Sequence, residues 1–241
     1  MRPDALTAWW HEAERFSAQM AAEGLPDPRV LAETGSTNDD AMALGRAGAP
    51  EGTVVLAAAQ SGGRGRLGRA WATVPGALAM SIVLRPKEAV TRWPLRLLGG
   101  AVDLATAWGP AWHVKWPNDV VAADGRKVSG LLAEADTAAG VLVVGVGVNV
   151  GRPPDLPTAA SLGRDDLGAV AWDVARAFLR PQPDALARFT KRMLGMGRRV
   201  TVGDWAGTVV GLADDGGLRL ETDTGPRVVH AGDVALVSEA R

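Results

Sequence analysis

The chain has 241 residues, 47% of them hydrophobic, and its 26 Lys and Arg against 27 Asp and Glu leave a net charge of −1. That length is enough to bury a core with room for one large and one small domain, and the balanced charge argues against a nucleic-acid binder, whose phosphate partners demand a basic surface. No cysteine is present, which excludes disulfides, thiolate metal sites and a cysteine nucleophile and agrees with a reducing compartment.

Residues 5–23 carry apolar side chains at helical spacing and stop at Gly24, predicting one amphipathic helix. No charged-then-apolar leader and no apolar span of transmembrane length occurs, so neither secretion nor a membrane partner is expected and a cytoplasmic location is. Residues 39–48 read as a second helix. Residues 53–59 and 77–84 are apolar runs of strand length, and between them lies Ser61-Gly62-Gly63-Arg64-Gly65-Arg66-Leu67-Gly68-Arg69-Ala70-Trp71. Glycine permits close backbone approach, so amides and guanidinium forks can converge on one phosphate or carboxylate. A solvated basic loop is the plainer alternative, but two buried strands flank this one and fix it to a core.

Residues 94–108 predict a third helix. Trp9, Trp10, Trp93 and Trp108 fall in or at the ends of helices, where packing is the expected role. Next come Val114-Lys115-Trp116-Pro117-Asn118-Asp119-Val120 and Arg126-Lys127-Val128-Ser129-Gly130-Leu131-Leu132. Only four lysines stand among 26 basic residues, and two are here. A compact ammonium suits polarising a carbonyl or neutralising a phosphate where a guanidinium does not fit; two ordinary surface lysines beside a hairpin are the alternative. Asp124-Gly125 signals a hairpin turn joining strands over residues 114–122 and 127–135, which brings Asp119 and Lys127 together.

Residues 141–150 form an apolar run broken by Gly145 and Gly147 and closed by Asn149, predicting a central strand whose bare positions serve a ligand floor or close strand packing. Helices are predicted over 169–180 and 184–194, separated by Pro181 and Pro183. Beyond Gly197 the pattern turns to short alternating strands over 199–202, 205–212, 217–221 and 227–230, predicting a small β-barrel. His11, His113 and His230 are scattered without ligand spacing, and no metal site is expected.

Taken together, Ser36-Thr37-Asn38, the Gln60 to Trp71 loop, Lys115-Trp116-Pro117-Asn118-Asp119, Lys127-x-x-Gly130-Leu131-Leu132 and Gly145-x-Gly147-x-Asn149 resemble, in order, the five motifs of the biotin protein ligases. The resemblance implies an α+β catalytic domain of the biotin/lipoate ligase type, related to class II aminoacyl-tRNA synthetases, over residues 1–197, and an SH3-like barrel over 198–241. It implies an enzyme that joins biotin to the α-phosphate of ATP, supplied with Mg2+, and passes the biotinoyl group from AMP to a lysine of an acyl-CoA carboxylase's biotin carboxyl carrier domain. With one helix before the motifs, the monofunctional type without a DNA-binding module is expected.

By the same resemblance, Ser36, Thr37, Asn38, Gln60, Gly63, Arg64, Arg66, Trp71, Lys127, Gly130, Gly145 and Gly147 contact biotin. Arg64, Arg66, Arg69, Trp71, Asn118, Lys127 and Asn149 contact the nucleotide, while Lys127, Arg64 and Asp119 take part in the chemistry. The family pattern departs at Leu67, where some members carry a basic residue. The interval from Asp119 to Lys127 is also longer by one, which leaves Arg126 as a competitor of Lys127, although the Val-Ser-Gly-Leu register favours Lys127. A lipoate or octanoate ligase of the same superfamily, or a biotin-binding module without catalysis, is the alternative.

Overall fold

The computed structural model describes residues 3–180 and 183–237. Seven strands form one sheet in the order β1 (Arg29–Leu31), β2 (Val54–Ala57), β3 (Leu78–Leu84), β7 (Val141–Val148), β6 (Lys127–Asp136), β5 (Asp119–Ala122) and β4 (Trp112–Lys115). Only β1 and β2 run parallel; every other neighbouring pair is antiparallel. The apolar run with two glycines is β7, the fourth of the seven, as its two-sided burial requires.

One face of the sheet packs on α3 (Trp93–Ala107) and α4 (Leu167–Leu179) through Leu78, Met80, Ile82, Val144, Val146 and Leu131, with α1 (Pro3–Ala22) laid against α4. On the other face α2 (Thr37–Arg46) packs Ala41 on Val55, Val83, Val141 and Val143. Even-numbered residues of β3 and β7 therefore face the larger core, and odd-numbered ones face α2 and the space beside it. α5 (Ala185–Arg192) leans on α3, where Arg188 pairs with Asp103 and Arg192 donates to the carbonyls of Gly109 and Trp112.

Two boundaries differ from the sequence reading in ways that matter. The strand expected over 114–122 is two strands, β4 and β5, which pair antiparallel around a turn at Trp116-Pro117-Asn118 with a cis Trp116–Pro117 bond. Proline lacks the amide a ladder needs, so the run cannot stay extended through residue 117. The second helix begins at Thr37, not at 39, so Thr37 and Asn38 are its first turn. Pro181 lies outside the described residues.

The remaining strands, β8 (Arg199–Val202), β9 (Trp205–Leu212), β10 (Leu218–Thr222), β11 (Gly225–Val229) and β12 (Val234–Leu236), make an antiparallel sheet ordered β11-β10-β9-β8-β12. The three-residue β12 is an addition to the sequence reading, too short to show an alternating pattern. This sheet packs on the larger one: Trp116 Nε1 donates to Gly216 O at 2.9 Å. We propose the domain division at residues 197/198, between α5 and β8.

Candidate active site

The face of the sheet beside α2 holds a cavity of about 360 Å³. Its floor follows from strand register. Ala79 of β3 pairs with Gly147 of β7, Gly147 with Gly130 of β6, and Gly130 with Asp119 of β5. One row across four strands is thus nearly bare of side chains and ends in a carboxylate. Two residues along, Ser81, Gly145 and Leu132 make a parallel row.

Different groups occupy the space at each glycine. A Cβ on Gly147 would stand 2.2 Å from the Trp71 ring, and one on Gly130 would meet Lys127 Nζ at 2.6 Å and Trp71 at 3.1 Å. Those two positions seat the indole and the lysine. At Gly145 the neighbour is Asn38 Oδ1, 2.2 Å from where a Cβ would be, so this glycine admits a side chain of α2. Gly63 lies outside the cavity lining, and its missing Cβ makes room for the Trp71 carbonyl oxygen, 2.7 Å away.

The first turn of α2 forms one wall. Ser36, Thr37 and Asn38 are each only 4% exposed yet line the cavity. Ser36 precedes the helix but makes no capping bond; Gln60 replaces it, its Oε1 accepting from Thr37 N at 2.9 Å and lying 3.1 Å from Thr37 Oγ1. This satisfies one of the open amides of a helix start and leaves the Ser36 hydroxyl unspent. Asn38 is held from two sides: Ser81 Oγ donates to its Oδ1 at 2.6 Å, and its Nδ2 donates to Glu134 Oε2 at 2.6 Å.

Opposite stands Lys127, whose Nζ is 2.7 Å from Asp119 Oδ1 and 5.4 Å from the centre of the Trp71 ring. Arg126 instead pairs with Asp124 in the turn and lies outside the cavity, so the longer interval does not exchange the two basic residues. Lys127 is fixed by its backbone as well, since its N donates to Thr158 O at 2.7 Å and its O accepts from Ala160 N at 2.8 Å. Asn149 clamps the same segment by donating to Ala160 O at 2.9 Å, while its own Oδ1 is buried without a partner. Such an acceptor invites a donor, because a buried polar atom left unpaired costs about 1–3 kcal/mol. Asn118 donates to Leu131 O at 2.5 Å and accepts from Arg66 at 3.2 Å, which ties the turn to the arginine loop.

All three loop arginines reach the rim, each already engaged with protein groups. Arg64 makes a two-pronged pair with Asp39, both contacts at 2.7 Å, and touches Glu134 at 3.2 Å. The Arg64 hydrogen bond holds the Asp39 carboxyl below its ordinary range against mild desolvation, and Asp39 and Glu134 in turn hold the guanidinium protonated. Arg66 is the most buried of the three and donates to Asn118 and to Gly232 O; burial pulls its pKa down, opposed by Asp233 and Asp119. Arg69 lies 2.8 Å from Asp233. Burial raises the Asp233 pKa, but Arg69, Arg66 and Lys115 outweigh it and the net shift is downward. Leu67, at the point of departure from the family pattern, is 72% exposed with φ of 56°.

Of the residues singled out from sequence, Ser36, Thr37, Asn38, Gln60, Arg64, Arg66, Arg69, Trp71, Asn118, Asp119, Lys127, Gly130, Gly145, Gly147 and Asn149 therefore meet at one cavity. Ser81, Glu134 and Asp233 were missed. Glu134 stood two places beyond Leu132 and four beyond Gly130, so strand alternation was a usable signal.

Comparison with known proteins adds the family. The biotin/lipoate A/B protein ligase family model matches residues 31–150, and the biotin protein ligase C terminal domain model matches residues 195–237. A biotin–[acetyl-CoA-carboxylase] ligase of Mycobacterium tuberculosis is 38% identical, with 89% of this chain and 90% of that protein covered. The bifunctional ligase/repressor BirA of Bacillus subtilis is 31% identical over 83% of this chain and 71% of its own length. Among solved structures, biotin protein ligase from Aquifex aeolicus in complex with biotin and ATP superposes with a TM-score of 0.65 at 28% identity, covering 88% of this chain and 99% of that one. With both segments matched in order and a relative of that identity aligned nearly end to end, the chain belongs to the biotin protein ligase family.

Proposed function

We propose that this chain is an ATP-dependent biotin protein ligase that makes biotinoyl-5′-AMP and pyrophosphate, then transfers the biotinoyl group to a lysine of a biotin carboxyl carrier domain of an acyl-CoA carboxylase. The observation that carries the reading is the Lys127–Asp119 pair at the end of a floor stripped of side chains, with three arginines at its rim. A lipoate ligase is the second reading, since one matched family model spans both activities, but the Mycobacterium tuberculosis relative, aligned nearly end to end, is named for biotin.

In the first step a biotin carboxylate oxygen attacks the α-phosphorus of Mg–ATP and pyrophosphate departs. Lys127 supports this step as a point charge beside the carboxylate and the α-phosphate, while Arg64, Arg66 and Arg69 take up phosphate charge from the rim. Ser36, Thr37 and Gln60 offer hydrogen-bonding groups to the ureido ring, and Trp71 covers the apolar part of the ligand. Asn149 Oδ1 is an open acceptor for a nucleotide amino group. In the second step the carrier amine attacks the acyl carbon and AMP leaves. Asp119 takes the amine proton, its 2.7 Å contact with Lys127 holding it oriented until then. Closure of the arginine loop keeps water from the mixed anhydride.

The test is incubation with biotin and Mg–ATP without carrier, followed by mass spectrometry for biotinoyl-AMP and an equal yield of pyrophosphate, with lipoate in parallel. Biotinoyl-AMP is expected. Lipoyl-AMP alone moves the chain to the sister activity, and no adenylate refutes the ligase reading. No described helix is long and apolar enough to cross a membrane, and the acceptor is sought among carrier domains free in solution.

A further inference from the structure

Glu134 has no part in the roles assigned above, yet its carboxylate is where two parts of the site meet. From β6, just behind the cavity wall, it accepts from Asn38 Nδ2 at 2.6 Å and from Arg64 at 3.2 Å. Asn38 belongs to the helix start that faces the ring end of the cavity, and Arg64 belongs to the loop at its rim.

The chemistry of the neighbours gives Glu134 a directing role. A primary amide has two orientations of nearly equal shape, and a hydroxyl accepts as readily as it donates. Ser81 Oγ, fully buried, thus does not by itself decide which end of Asn38 it faces. An ionised carboxylate only accepts, so Glu134 turns the Asn38 nitrogen toward itself and the carbonyl toward Ser81. Ser81 lies 2.6 Å from that carbonyl and 2.8 Å from Thr37 Oγ1 with one proton to give, and it goes to Asn38. The Thr37 proton is then left to acceptors inside the protein, Gln60 Oε1 or Ser81 Oγ. Toward the cavity Thr37 shows lone pairs, which match the N–H donors of a cyclic urea.

We propose that Glu134 is a positioning residue that sets the proton direction of the Thr37–Ser81–Asn38 chain and anchors Arg64 with the same carboxylate, linking recognition of the urea ring to retention of the adenylate. The proposal rests on the ligase reading. Its test compares wild type, Glu134→Ala and Glu134→Gln for the KM of biotin in pyrophosphate release and for escape of biotinoyl-AMP, read as labelling of a bystander protein. Loss of a bond to a charged group corresponds to about 10-fold or more, so Glu134→Ala raises both quantities by at least about that factor.

In Glu134→Gln the oxygen in the Oε2 position can still accept from Asn38 and Arg64, but an NH2 group replaces the Oε1 that lies 3.3 Å from Arg64 and repels the guanidinium, so the KM of biotin recovers while escape of the adenylate stays raised. Midpoints of urea unfolding are measured alongside, and if Glu134→Ala does not fold, Glu134→Gln decides alone. Wild-type values of both quantities in Glu134→Gln, or in a folded Glu134→Ala, overturn the proposal. Failure of wild type to form the adenylate overturns the ligase reading instead, so the two failures are distinguishable.

Discussion

Gly145→Ala adds one methyl group at a place where the backbone cannot retreat. Gly145 sits in β7 with β3 bonded on one side through Ser81 and β6 on the other through Leu132, so the backbone cannot bow away. The new Cβ stands 2.2 Å from Asn38 Oδ1 and 3.0 Å from its Cγ, which is short of an ordinary C···O contact by about 1 Å. Asn38 must swing out, breaking its bonds to Ser81 and Glu134 and leaving the fully buried Ser81 hydroxyl with Thr37 Oγ1, 2.8 Å away, as its partner. Overpacking costs about 1–3 kcal/mol, and the buried Asn38 amide stripped of both these partners about 1–3 more.

The expected destabilisation is therefore roughly 2–6 kcal/mol, a fall in Tm of about 4–24 °C for a chain this long. Urea unfolding followed by tryptophan fluorescence measures it, with biotin titration of the folded fraction in parallel. Weakened biotin binding should accompany the lost stability, because Thr37 and Asn38 share one turn. A variant with the wild-type midpoint and wild-type biotin affinity would refute the packing argument.

Three further outcomes are expected. Lys127→Ala should slow adenylate formation by about 10²–10³-fold while changing the biotin Kd much less; equal losses in single-turnover and equilibrium-binding measurements would contradict a role concentrated in the transition state. Arg66→Gly removes the contacts to Asn118 and Gly232 at once, and should let biotinoyl-AMP escape and label unintended lysines, seen on a blot of a bystander protein. Asp39 is depressed by Arg64, so the pair contributes stability that is present above the unfolded value near 3.8 and lost as pH falls through the lower folded value. Carboxyl 13C titration should show Asp39 below its ordinary range in wild type and back within it in Arg64→Ala.

What was legible from sequence was whatever a local constraint imposes on residue type. Glycines crowd the arginine loop and β7 because backbone or ring must approach there, and Asp124-Gly125 turns the chain where Gly125 takes φ of 85°. The Asp119–Lys127 pair followed from that hairpin. What was illegible depends on partners distant in sequence. Ser81 resembles any small strand residue until the register sets it beside Gly145. Gly145 lines the cavity as its sequence context suggests, but that Asn38 of α2 stands over it depends on a helix about a hundred residues away, beyond any local pattern. Asp233 lies 164 positions from Arg69, in the segment just before β12, and nothing in its neighbourhood marks it.

The two segments matched by separate family models do not have separate interiors. Val200, Val202, Val209, Leu218, Leu220 and Val234 of the smaller sheet belong to the same continuous apolar cluster as Leu98 of α3, Val114 of β4 and Trp116 of the turn that follows it. A Cβ on Gly216 would touch Leu98 at 2.9 Å, so the hairpin tip is wedged directly against α3. Cutting the chain at 197/198 would expose the cut face of a single core on both fragments. The protein should therefore unfold in one cooperative transition, and the smaller sheet serves the cavity as a fixed wall and not as a swinging door.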